Sequence, residues 1–208
     1  MKKKAYDRYI SFFAILIVVL AGCKPGSIDV KGYDCKMNGS FETLKNGLPV
    51  NWWYYAMETV PSGEFDVLID TIQFKEGRKS LKFQVRKCES IGGWHSPGFF
   101  AEFKVKPGET YNISFWVING GCDFKVSVGA GMQGNPGPSQ TLVRTRETYS
   151  EWKYFQYTFA IPPANDNIRF EANILSPGTI WFDDIRIEGL NDKKALNLYP
   201  YRGYEECK

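Results

Sequence analysis

TIWFDDIRIE, running from Thr179 to Glu188, is the last clear strand pattern in this 208-residue chain. Side chains alternate between the two faces of a strand, so the pattern groups Trp181, Asp183, Ile185 and Ile187. Three of the four are bulky and apolar, which makes theirs the buried face and puts Asp183 on the core side. A buried carboxylate without a partner is too costly to keep. An Arg, a Lys or a bound cation is therefore expected to meet Asp183.

The same alternation recurs upstream. Leu81, Phe83 and Val85 share one face, as do Tyr111, Ile113, Phe115 and Val117, then Phe124, Val126 and Val128. Phe155, Tyr157, Phe159 and Ile161 form another set, ended by Pro162 and Pro163, and Ile168, Phe170, Ala172 and Ile174 a fifth. Further strands are predicted around Trp53–Glu58 and Phe65–Phe74. Gly, Pro, Asn and Asp clusters separate these runs, and no sustained helical period occurs after residue 22. Many short strands, each with one apolar face, predict an all-β sandwich of two antiparallel sheets.

The first residues read as an address. Lys2, Lys3, Lys4 and Arg8 precede an apolar run, Phe12 to Leu20, that is too short to span a bilayer and fits a secretory signal. Removing residues 1–22 leaves 22 basic and 22 acidic residues, so the basic excess belongs to the signal and nucleic-acid binding is not expected. Cys35, Cys88, Cys122 and Cys207 remain beyond Cys23. Four cysteines in an exported chain allow three disulfide connectivities. Cys35–Cys207 with Cys88–Cys122 is the expected one, because the outer pair brackets a domain whose ends lie close together.

Two resemblances add to this reading. Leu20-Ala21-Gly22-Cys23 resembles the lipobox of bacterial lipoproteins, which implies cleavage before Cys23 and a lipid on its thiol. Four ordered stretches resemble the jelly-roll carbohydrate-binding modules of families four, nine and twenty-two. They are Asn38-Gly39-Ser40-Phe41-Glu42 with Gly47-Leu48-Pro49 and Trp52; Glu76 to Leu81; Val105 to Tyr111; and Glu151-Trp152 with Phe182-Asp183-Asp184-Ile185. The expected organisation is a signal over 1–22, a lipidated cysteine and tether over 23–37, a jelly roll over 38–190 and a tail over 191–208. The resemblance also implies a structural Ca2+ held by the carboxylates of Glu42 and Asp183 and by carbonyls near Ser40 and Lys79. That would answer the Asp183 problem; a salt bridge to Arg78 or Arg169 is the other answer.

Carbohydrate binders place flat aromatic rings beside planar hydrogen-bonding groups, and aromatics make up 16% of this chain. Trp52, Trp152 and Trp181 match structural positions of the resembled family. Trp94 and His95, in the Gly-flanked stretch Gly92 to Gly98, and Trp116, out of phase with its apolar neighbours, are the leading ligand-binding candidates, followed by Trp53 and Tyr55. His95 is the only histidine. Catalysis finds little support: Asp183 and Asp184 are adjacent on a strand and cannot form a glycosidase pair, and no Gly-x-Ser-x-Gly motif occurs. The expected function is non-catalytic binding of a poly- or oligosaccharide by a lipoprotein anchored in the bacterial cell envelope, in the outer membrane. Alternatives are a polysaccharide lyase or glycoside hydrolase on the same fold, or an adhesive envelope module whose partners are other envelope proteins.

Overall fold

Asn38 organises the first turn of the folded region. Its side-chain amide donates to the carbonyls of Thr43 and Val50 and accepts from the Thr43 N–H, while its own carbonyl accepts from the Trp52 indole. This pins Trp52 and Phe41 against the core, where their rings lie 5.7 Å apart. The computed structural model describes residues 36–55, 59–89, 95–130 and 137–199, all within one compact unit.

A hairpin, β1 (Leu44–Lys45) with β2 (Leu48–Pro49), precedes β3 (Trp53–Tyr54), β4 (Glu64–Asp70), β5 (Ser80–Lys87) and β6 (Gly98–Lys104). β7 (Thr110–Asn119), β8 (Phe124–Ala130), β9 (Ser139–Thr145), β10 (Tyr149–Ala160), β11 (Asn167–Ile174) and β12 (Gly178–Gly189) complete the order. Two five-stranded sheets result, β10-β7-β12-β5-β4 and β3-β6-β11-β8-β9, and every pairing is antiparallel. The expected all-β jelly-roll sandwich is therefore the architecture. Phe99 stands at its centre, within 5.2–6.2 Å of the rings of Phe182, Phe83 and Phe170. The apolar runs read from the sequence on β5, β7, β8 and β11 line this core.

β12 departs from strict alternation. Ile180 and Phe182 point into the core, whereas Trp181 and Asp183 lie on the opposite face. A bulge between Asp183 and Arg186, with Asp184 at φ 48°, shifts the phase and returns Ile185 and Ile187 to the core. The four side chains expected on one face are thus divided between two. Trp181 is half-buried on the outside, where its indole N–H donates to Asp70.

Asp183 is nonetheless fully buried, because the turn from Lys75 to Lys79 covers it. Its partners are neither Arg78 nor Arg169 but backbone N–H groups. Lys75 and Glu76 donate to Oδ2 at 2.6 and 3.0 Å, and Asp184 donates to Oδ1 at 2.7 Å. Burial pushes its carboxyl up to about 6 despite these bonds.

Two further expectations change. Cys88 and Cys122 are not joined in a disulfide. Cys122 is packed into the core, where burial and the neighbouring Cys88 push its thiol up to about 12, and the Cys88 thiol donates to the Ile174 carbonyl. Cys23, Cys35 and Cys207 lie outside the described residues. Leu196 to Tyr199 run along β6: Lys104 and Tyr199 N–H groups bond to Asn197 and Glu102 carbonyls, and Leu198 is buried in the core.

Candidate functional site

Alternation on β6 and β11 sends Phe99, Ala101 and Phe103, and Ile168, Phe170 and Ala172, into the core. Phe100 and Glu102, and Arg169, Glu171 and Asn173, must then face outward. Register partners share a sheet face. Trp53, Phe100, Glu171, Ser127 and Thr141 therefore form one row across all five strands of the second sheet, and Glu102, Arg169, Gly129 and Ser139 form the next. In these two rows β3, β6 and β11 contribute aromatic and charged side chains and β8 and β9 small ones, while the row of Asn173 adds Lys125 and Arg144.

Trp53 and Phe100 stack 5.8 Å apart at 16°, and Tyr55 lies 5.6 Å from Phe100. The Arg169 guanidinium sits 3.7 Å from the centre of the Phe100 ring. Each of its nitrogens has an acceptor: Nε donates to Glu171 at 3.0 Å, Nη1 to Glu102 at 3.3 Å and Nη2 to the Tyr55 hydroxyl at 3.0 Å. Tyr55 in turn donates to Glu171 at 2.5 Å, Asn173 donates to the same carboxylate at 3.2 Å, and Asn167 reaches Glu102 at 3.5 Å. Such a network holds its members in fixed rotamers, which lowers the entropy lost when a ligand binds.

Burial alone would raise the Glu171 carboxyl. The Arg169 charge, the Tyr55 hydroxyl and the Asn173 amide outweigh it and hold the group below the usual carboxylate range. Burial followed by Glu171 pushes the Tyr55 phenol well above its ordinary value. An ionised Glu171 accepts hydrogen bonds from hydroxyls and is a poor general acid, since that role needs a raised pKa. Its chemistry suits accepting hydrogen bonds better than protonating a leaving group.

Trp53 and Tyr55 are thus in the cluster. His95 lies in the approach to β6, with Nδ1 3.2 Å from the Thr59 carbonyl. Trp94 falls outside the described residues. Trp116 is on the other sheet, its face covered by the Lys75 ammonium at 3.9 Å and the tilted Tyr154 ring 4.8 Å from it. Sequence reading passed over Phe100, Glu102, Arg169, Glu171 and Asn173. The usable signal was the polar phase of Ile168 to Asn173, which places Arg, Glu and Asn on one face of a strand.

The residues expected to hold calcium make a different joint. Glu42 Oε1 accepts the Arg78 N–H at 2.7 Å, and Oε2 accepts the Lys79 ammonium at 3.1 Å. Burial raises the Glu42 carboxyl, but these donors bring it below its ordinary value. Gly77, at φ 69°, allows the close approach: a Cβ there would lie 2.4 Å from Glu42 Oε1. Calcium needs six to eight inward-facing oxygens. Here the Glu42 and Asp183 carboxylates face N–H and ammonium donors, and among the described residues no three His, Cys, Asp or Glu side chains gather in a metal-binding group. The donor set does not fit the ion.

The profile of a family described as a carbohydrate binding domain matches residues 35–178. The fold is similar to that of the CBM22-1 xylan-binding domain of Paenibacillus barcinonensis Xyn10C (TM-score 0.51, 15% identity, 78% of this chain and 93% of that one). It is also similar to part of the enzymatically active domain of bacteriophage CBA120 tailspike protein 4 (TM-score 0.55, 15% identity, 76% of this chain). A third match is the CBM22-1–GH10 portion of Clostridium thermocellum xylanase 10B, complexed with xylohexaose (TM-score 0.50, 18% identity, 66% of this chain). The chain spans 21% of the tailspike structure and 26% of the xylanase structure. No curated protein matches it.

Proposed function

This chain belongs to the carbohydrate binding domain family, a family of non-catalytic binding domains, and from that premise we propose that it binds a poly- or oligosaccharide on the outer face of β3-β6-β11-β8-β9. The observation that carries the reading is the Arg169 network. Trp53 and Phe100 offer an apolar wall, the oriented carboxylate of Glu171 accepts sugar hydroxyls, and Ser127, Gly129, Ser139 and Thr141 leave room for a ring beside them. Loss of one charge-assisted hydrogen bond costs about 1.5–3 kcal/mol, roughly tenfold to a hundredfold in affinity.

A glycan array on the full chain tests this. Trp53→Ala and Glu171→Gln are expected to abolish or weaken the signal by at least about tenfold, and Trp116→Ala, on the opposite sheet, to leave it intact. A signal indifferent to the first two variants would sink the assignment.

The proposal includes the address. The basic start, the short apolar run and Leu20-Ala21-Gly22-Cys23 support a lipid-anchored protein of the bacterial cell envelope, held in the outer membrane with its sugar ligand close by. Palmitate labelling should disappear in Cys23→Ala; label retained in that variant would refute the anchor.

A further inference from the structure

The turn from Lys75 to Lys79 is held at both ends by carboxylates from distant parts of the chain. Asp183, on the closing strand, takes the N–H groups of Lys75 and Glu76, and Glu42, in the opening turn, takes that of Arg78. The Lys79 ammonium then folds back on Glu42, 3.1 Å from Oε2 and 3.2 Å from the backbone carbonyl. One side-chain oxygen and one carbonyl oxygen of the same residue thus converge on a single positive charge, as they would on a metal ion.

We propose that the Lys79 ammonium is a built-in cation that joins the opening turn to the 75–79 turn, and that this joint forms without calcium. A divalent ion here would stand beside the ammonium and be repelled by it. It would also have to displace N–H donors already seated on both carboxylates. Lys79 is half-buried, so the pair is screened less than a fully exposed ion pair, and loss of the ammonium leaves the Glu42 carboxylate with backbone N–H donors alone.

Thermal unfolding of the full chain, with calcium added and with a chelator, is the test. The wild type should melt at the same temperature in both, and calorimetric titration with calcium chloride should give no binding heat. Lys79→Met keeps the apolar stem and removes the charge; it should melt about 2–4 °C lower, whereas Lys79→Arg should recover most of the loss. A calcium-dependent rise in the wild-type melting temperature, or calcium binding heat, would overturn the proposal. So would a Lys79→Met variant as stable as the wild type. Should Lys79→Met fail to fold, the two wild-type measurements still decide the question.

Discussion

At the scale of single residues, two of the three buried acids among the described residues differ in what balances them. Glu102 is buried on the sheet face and answered by a guanidinium; Asp183 is buried under a turn and answered only by N–H dipoles. Arg169 serves three acceptors in a planar fork that a lysine cannot reproduce. Arg169→Lys should therefore lower stability by about 2 kcal/mol, seen as a lower urea midpoint, and weaken glycan binding with it. Asp183 acts in the opposite sense. Its folded-state carboxyl lies at about 6, above the ordinary value of 3.8, so the folded protein holds this proton more tightly than the unfolded chain does. Its contribution is complete below about pH 4 and is lost as pH rises through 6, on the order of 2–3 kcal/mol. Acids held low, among them Glu42, Asp70 and Glu171, add stability as pH rises, and that gain is complete above their ordinary range. Urea midpoints should fall between pH 4.5 and 6.5 in the wild type, and Asp183→Asn should flatten that slope.

At the scale of elements, periodicity made most of the sandwich legible, and its failures have separate causes. β6 was missed because adjacent Phe99 and Phe100 hide its alternation, one ring entering the core and the other stacking on Trp53 outside it. β12 was found, but a period of two cannot show a bulge; the phase slip at Asp184 sent Trp181 outward and hid Asp183 from any arginine. The binding cluster was half legible. Trp53 and Tyr55 stood out by residue type, whereas Arg169 and Glu171 acquire meaning only once β6 and β3 lie beside β11. The Lys75–Lys79 turn depends on Gly77, whose positive φ and closeness to Glu42 leave no place for a methyl group. Gly77→Ala should cost about 2 kcal/mol or more, measured by chemical denaturation. The segment after Gly189 is likewise part of the fold, since Leu198 fills the core beside Phe103; Leu198→Ala should cost about 2–4 kcal/mol.

At the scale of the whole molecule, the turn that closes the fold and the face proposed to bind sugar lie on opposite sheets. Asp183 and the 75–79 turn cover the outside of β10-β7-β12-β5-β4, and Arg169 and Glu171 lie on the outside of β3-β6-β11-β8-β9. Between the two outer faces stands a core about 10 Å thick, close-packed with phenylalanines. Groups this far apart, with no shared partner, add their effects to within about 0.5 kcal/mol. Gly77→Ala should therefore lower the melting temperature while leaving the glycan Kd unchanged at temperatures where the variant is folded. Glu171→Gln should do the reverse in the larger part, weakening binding about tenfold or more with a smaller effect on melting. In the double variant, both losses should appear at their single-variant sizes. Titration calorimetry and thermal unfolding on the four proteins measure this directly. A Kd that worsens with Gly77→Ala would mean that the core transmits strain from one outer face to the other, and that the turn positions the binding wall as well as holding the ends of the chain together.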